Sequence, residues 1–110
     1  MERFVAGTVV VVLFPFSDLS NQKRRPALVL ADAEFGNVIL CQITSKAYSS
    51  SRAIELELSG FKSGGLPVTS YIRFDKLFTA DPEIIFNTVG KVRQEVLTPV
   101  LKQIQNLFRS

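Results

Sequence analysis

Three short stretches of this 110-residue chain carry side chains whose types and spacing could do chemistry. In "QKRRPALVL" (22–30), Lys23, Arg24 and Arg25 run into Pro26 and then at once into an apolar run. A guanidinium at Arg25, held at the mouth of a core strand, presents a fork that matches two oxygens of an anionic group. On the residues alone, a solvated charge capping a strand end accounts for it equally well. In "QITSK" (42–46), Thr44 ends an apolar run with Ser45 beside it. Its hydroxyl could bond an anion, or it could be one more strand threonine. In "YIRFDKLF" (71–78), Arg73 and Asp75 stand two apart, on one face of a strand. An acid–base pair and a plain salt bridge both fit that spacing.

What is missing narrows the chemistry. The chain has no histidine and a single cysteine, Cys41. The commonest general base and the commonest metal ligand are therefore absent. Zinc sites and Cys–His nucleophile pairs are excluded, no internal disulfide can form, and no cofactor or metal is expected. Neither GxxxxGK[ST] nor GxGxxG occurs, which argues against a nucleotide-cradling loop. The net charge of +3 is only mildly basic, but its distribution is uneven. Between Glu34 and Asp75 the only acids are Glu55 and Glu57, against Lys46, Arg52, Lys62 and Arg73. With the 23–25 cluster this suggests one basic face, although scattered solvated charge describes the numbers as well.

These residues must be positioned by strands. "TVVVVLF" (8–14) is β-branched and continuous, the pattern of a buried strand. "PFSDLSNQK" (15–23) reads as a loop, "PALVLAD" (26–32) as a second strand and "VILCQIT" (38–44) as a third, with a turn at 34–37. "SKAYSSSR" (45–52) is a polar connection. "AIELEL" (53–58) alternates, so Glu55 and Glu57 face water. "SGFKSGG" (59–65) reads as a turn and "PVTSYIRFDKLF" (67–78) as a long strand region. Within it Ile72 and Phe74 point opposite to Tyr71, Arg73 and Asp75. "ADPE" (80–83) signals a turn with Pro82 early in it, and "NTVGKV" (87–92) a last short strand. Only the tail is helical: Val96, Leu97, Val100, Leu101, Ile104, Leu107 and Phe108 keep three-and-four spacing. Thr98–Pro99 suggests an N-cap with proline at the first helical position, because a start near Gln94 would leave Pro99 inside the helix. The length suits a single domain over 1–110. Strands joined by short turns and closed by a helix indicate a mainly β fold, a small curved antiparallel sheet or barrel with a C-terminal α-helix. The longest apolar run, Val9 to Phe16, contains Pro15 and is too short to cross a bilayer. No cleavage site follows it, so a cytoplasmic protein is expected.

Three segments in order, "GTVVVVLFPFSDLSNQKRRPALVL" (7–30), "QITSK" (42–46) and "YIRFDKLFTAD" (71–81), resemble the MazF/PemK-like toxins of type II toxin–antitoxin modules. The resemblance covers the whole chain. It implies an SH3-like β-barrel with a C-terminal helix, usually a homodimer. It implies an mRNA interferase, an endoribonuclease that cleaves single-stranded RNA without a metal. The partner would be a small cognate antitoxin whose disordered tail covers the RNA groove, and operator DNA would be met only through it. Carried over by motif, the catalytic candidates are Arg25, Thr44, Arg73 and Asp75. One branch of the family places a histidine in the first loop, where this chain reads "SDLS" (17–20).

In such a reaction the RNA's own 2′-hydroxyl attacks the adjacent phosphorus. The site must hold one unstacked nucleotide, remove a proton and stabilise charge on the phosphoryl oxygens. Arg25 suits the last task. Ser17, Lys23, Arg24, Ser45, Lys46 and Arg52 are candidates for RNA binding, the cations contacting phosphates and supplying affinity rather than sequence choice. Phe14, Phe16, Phe61 and Tyr71 are candidates for stacking on bases, with core or loop packing the competing role for Phe14 and Phe16. Two other functions fit the same barrel: a non-catalytic module that poisons a topoisomerase through protein contacts, and an inactive member that only co-regulates its operon.

Overall fold

A computed structural model describes residues 4–14, 23–46 and 52–109. The strands are β1 (Thr8–Phe14), β2 (Lys23–Asp32), β3 (Val38–Thr44), β4 (Ala53–Leu56), β5 (Phe61–Gly64), β6 (Ser70–Ala80) and β7 (Ile85–Val92), followed by the helix α1 (Gln94–Leu107). They form one antiparallel sheet in the order β4-β6-β3-β2-β1-β7-β5.

The connection from β4 to β5 forces this sheet to curl. The two strands are its opposite edges, which in a flat sheet of this size would lie about 29 Å apart. The chain from Leu56 to Phe61 reaches roughly 18 Å when fully extended, and part of it is a 3-10 turn, Leu58–Gly60. The edges therefore approach each other, and Leu56 and Phe61 share one core with Val9, Leu28, Cys41, Ile43, Ile72 and Val92. The expected small curved β sheet closed by a C-terminal helix is what the chain forms, as a curled half-barrel. α1 fills the concave side, with Leu97 and Val100 buried in that same core. A second apolar cluster, Val10, Val12, Ala27, Val29 and Leu40, covers the other face. The uninterrupted valines of β1 follow directly, because both faces of that strand are buried.

Several elements depart from the sequence reading: β2 begins at Lys23, inside the stretch read as a loop; β4 ends at Leu56, so that Leu58 lies in a turn and is exposed; and β7 begins at Ile85, ahead of Asn87. Residues 59–65 hold a strand, β5, as well as a turn. It pairs with β7 at Gly90, where a side chain on either Gly64 or Gly90 would collide with the facing backbone. The helix begins at Gln94, with Arg93 at its N-cap, so Pro99 lies inside it. Thr98 caps nothing and instead accepts a hydrogen bond from Gln94 Nε2 at 2.8 Å. An interior proline costs about 3 kcal/mol. Burying an aliphatic side chain returns about 1.5–3 kcal/mol, and the early start brings both Val96 and Leu97 onto the sheet. Arg93 is also pinned, its N–H donating to the Gly60 carbonyl at 2.8 Å. The turn at 80–83 forms as expected: Asp81 accepts from the Glu83 N–H at 2.9 Å, with Pro82 in the first turn.

Candidate RNA-facing groove

The groove begins where a proline ends a ladder. β2 pairs with β1 over its first residues, Val12 opposite Arg25 and Leu13 opposite Arg24. Its ladder with β3 starts only at Ala27 opposite Gln42. Pro26, one residue before, has no N–H to give. β3 nevertheless continues to Thr44, held on its other side by Tyr71 of β6. The β2–β3 ladder thus stops short of the ends of both strands, and continuing their register would set Arg25 across from Thr44. A cavity of about 470 Å³ occupies this end, lined by Arg24, Arg25, Pro26, Ile43, Thr44, Ser45, Lys46, Leu66, Pro67, Val68 and Ser70. Its size falls within the range of ligand pockets.

Alternation along the strands explains its polarity. Val29 and Ala27 of β2 and Leu40 of β3 belong to the second apolar cluster. Two residues further along each strand, on the same face, stand Arg25 and Gln42, then Thr44. The face turns from apolar to polar where the ladder stops. Arg25 is half-buried, with its Nε out of reach of solvent. Thr44 is 5% exposed, and its Oγ1 accepts a hydrogen bond from the Lys46 N–H at 3.2 Å, which orients the hydroxyl and tightens the chain through Ser45. The far wall is held by Ser70, whose buried hydroxyl donates to the Val68 carbonyl at 3.0 Å. Three cations and no carboxylate line the groove among the described residues. A larger cavity, about 870 Å³, lies at the Val38 end of β3, but Asp32, Asp81 and Glu83 line it and would repel a polyanion.

Five of the expected residues therefore meet in one place: Arg24, Arg25, Thr44, Ser45 and Lys46. Others do not. Arg73 and Asp75 share the face of Tyr71 but stand outside the lining, bound to one another: Nε to Oδ1 at 3.3 Å and Nη2 to Oδ2 at 3.5 Å. Arg73 lies opposite Gln42, one row inward from Thr44. Arg52 is exposed at the start of β4, beyond the lining. Lys23 sits opposite Phe14 in the β1–β2 register, with only their backbones described. Ser17 and Phe16 lie outside the described residues. Phe61 is 6% exposed within the core, so it cannot stack on a base. Burial, and secondarily the charge of Asp75, pushes the Cys41 thiol up to about 12, which makes it a core side chain and not a nucleophile.

Sequence reasoning missed the apolar wall of Leu66, Pro67 and Val68, where Pro67 and Val68 are exposed next to a Gly–Gly pair. It also missed Phe86. That ring, 46% exposed on β7, carries the Arg24 guanidinium 4.1 Å above its centroid. An aromatic residue on the outer face of a strand was the available signal.

Comparisons with known proteins bear on the whole chain. The crystal structure of MazF (Form-I) from Deinococcus radiodurans superposes with a TM-score of 0.76 at 24% identity, covering 97% of each chain. The MazE–MazF complex (Form-III) from the same organism gives 0.74 at 23% identity, over 93% of this chain and 92% of that one. An endoribonuclease from a mycobacterial species gives 0.72 at 15% identity, over 96% and 91%. These likenesses establish the fold. No curated protein matches by sequence. The family profile described as "PemK-like, MazF-like toxin of type II toxin-antitoxin system" matches residues 6–108. Since that match runs through every strand and the helix, the chain belongs to the PemK-like, MazF-like toxin family of type II toxin–antitoxin systems.

Proposed function

We propose that the protein is a metal-independent endoribonuclease that cuts single-stranded mRNA through the RNA's own 2′-hydroxyl. The observation that carries this reading is the meeting of Arg25 and Thr44 in a groove lined by cations and by no carboxylate among the described residues. Such a groove attracts a polyanion and is wide enough for one unstacked nucleotide. The structural likeness to a protein named as an endoribonuclease adds support.

The 2′-oxygen attacks phosphorus as its proton leaves. The bond from phosphorus to the 5′-oxygen breaks, and that oxygen takes up a proton. The products are a 2′,3′-cyclic phosphate and a 5′-hydroxyl. Negative charge grows on the non-bridging oxygens, where the Arg25 fork offers two donors already held by the strand. The Thr44 hydroxyl, its oxygen occupied by the Lys46 N–H, has its own proton to donate to a phosphate or 2′-oxygen. Arg24 and Lys46 supply attraction along the backbone. Arg73 and Asp75 hold second place as proton-transfer groups: they share the sheet face, yet their ion pair stands outside the lining.

The partner in this reading is a small antitoxin with an acidic, disordered tail. A structural relative bearing the name MazE–MazF complex supports that partner. The protein would work as a homodimer in the cytoplasm. The test is incubation of the purified protein with mixed-sequence single-stranded RNA in excess EDTA. Fragments ending in 2′,3′-cyclic phosphate are expected, and intact RNA would end the proposal.

A further inference from the structure

Arg24 is held in a way that a phosphate contact does not require. Its guanidinium lies 4.1 Å over the Phe86 ring, within the range of a cation–π stack. The two residues reach each other across the sheet: Arg24 faces Leu13 on β1, and β1 pairs with β7 through Val12 opposite Ile85. The stack sets a planar cation against an aromatic ring instead of leaving it on a free side chain. Arg24 nevertheless remains exposed to solvent. The same residue lines the groove that holds Arg25 and Thr44, together with the apolar surface of Leu66, Pro67 and Val68. Val68 is 56% exposed and Phe86 46%.

A planar cation beside an exposed apolar wall suits a nucleobase. Bases stack on arginine planes as they do on aromatic rings, and the contact tolerates any base because each has a π face. A lysine at this position would serve a phosphate equally well, but it has no plane to lay on Phe86. Building on the RNA-cleaving reading, we propose that the Arg24–Phe86 stack is a base-stacking platform: it receives the nucleobase next to the phosphate held by Arg25. Arg24 thereby acts as a positioning residue. It keeps one nucleotide unstacked from its neighbour so that the 2′-oxygen can line up with the scissile bond.

The test uses two uncleavable single strands of equal length and charge. One is a 2′-fluoro oligoribonucleotide of mixed sequence, and the other is its fully abasic counterpart. The wild type should prefer the base-bearing strand by about fivefold or more, the range of one base–aromatic stack. Arg24→Lys keeps the charge and loses the plane, so it should lose that preference while binding the abasic strand as the wild type does. Phe86→Ala should behave likewise and Phe86→Tyr should retain the preference, since both positions are exposed and the fold does not depend on them. Equal wild-type affinity for the two strands overturns the platform while leaving the RNA reading intact, with Arg24 then a contact for phosphate or for a protein partner. A uniform loss on both strands in Arg24→Lys also overturns it. A wild type that binds neither strand refutes the RNA reading and the platform together.

Discussion

Replacing Arg25 with alanine removes the groove-lining guanidinium that a continued β2–β3 register would set across from Thr44. Losing one preorganised donor to a developing oxyanion costs about 10²–10³ in rate, or about 2.7–4 kcal/mol. Affinity should change far less, because Arg24 and Lys46 still line the groove. On a single strand each neutralised phosphate adds about −0.7 to the slope of log K against log salt. The lining cations of the wild type then give a slope of about −2, and the variant about −1.4. Arg25→Lys should restore the slope but not the rate, since a point charge cannot form the fork. The assay is single-turnover cleavage of end-labelled single-stranded RNA in EDTA, with binding measured across a salt series. An Arg25→Ala protein that melts like the wild type and cuts at the wild-type rate would show Arg25 to be a strand-end surface charge and refute the mechanism.

Asp75→Asn should slow cleavage less than tenfold, because the ion pair with Arg73 stands outside the groove lining; a loss as large as that of Arg25→Ala would move the pair into the reacting centre. The buried Cys41 thiol is pushed from its ordinary 9.0 to about 12. Its contribution to stability is whole below pH 9 and is lost as pH rises toward 12, at about 1.4 kcal/mol per pH unit. Urea titrations across that window should show the loss in the wild type and a flatter profile in Cys41→Ala. Pro99→Ala restores a helical N–H at an exposed position and should stabilise by about 2–2.6 kcal/mol, the helix gain less the greater freedom of the unfolded chain; an unchanged urea midpoint would contradict the interior placement of Pro99. Static light scattering at micromolar concentration should return the mass of a dimer, and a monomer would count against the homodimer.

Much of the architecture is local enough to be written in short windows of sequence. The run Val9–Val12 signals a strand buried on both faces, and Val38–Thr44 has the bounds that its apolar pattern predicts. Asp81–Pro82 carries its own turn chemistry. The alternation of Tyr71, Arg73 and Asp75 correctly places Arg73 and Asp75 on one face, close enough to pair. Motif order also put Arg25 and Thr44 in one site, but through resemblance and not through any physical link visible in the chain.

Tertiary structure decided what depends on partners distant in sequence. "FKSG" has no strand periodicity of its own and becomes β5 because β7 offers Gly90 to a backbone that must come close. The helix starts at Gln94, against the preference of Pro99, because Val96 and Leu97 find apolar surface there. Arg24 looked like one more counterion until the β1–β7 register set Phe86 beneath it. Backbone propensity and turn chemistry act over a few residues, so the sequence by itself determined β1, β3, the turn at Asp81 and the presence of a C-terminal helix. Burial and cross-strand pairing act between residues that only the fold makes neighbours, so which side chains share a groove, and in what posture, was decided by the curl of the sheet.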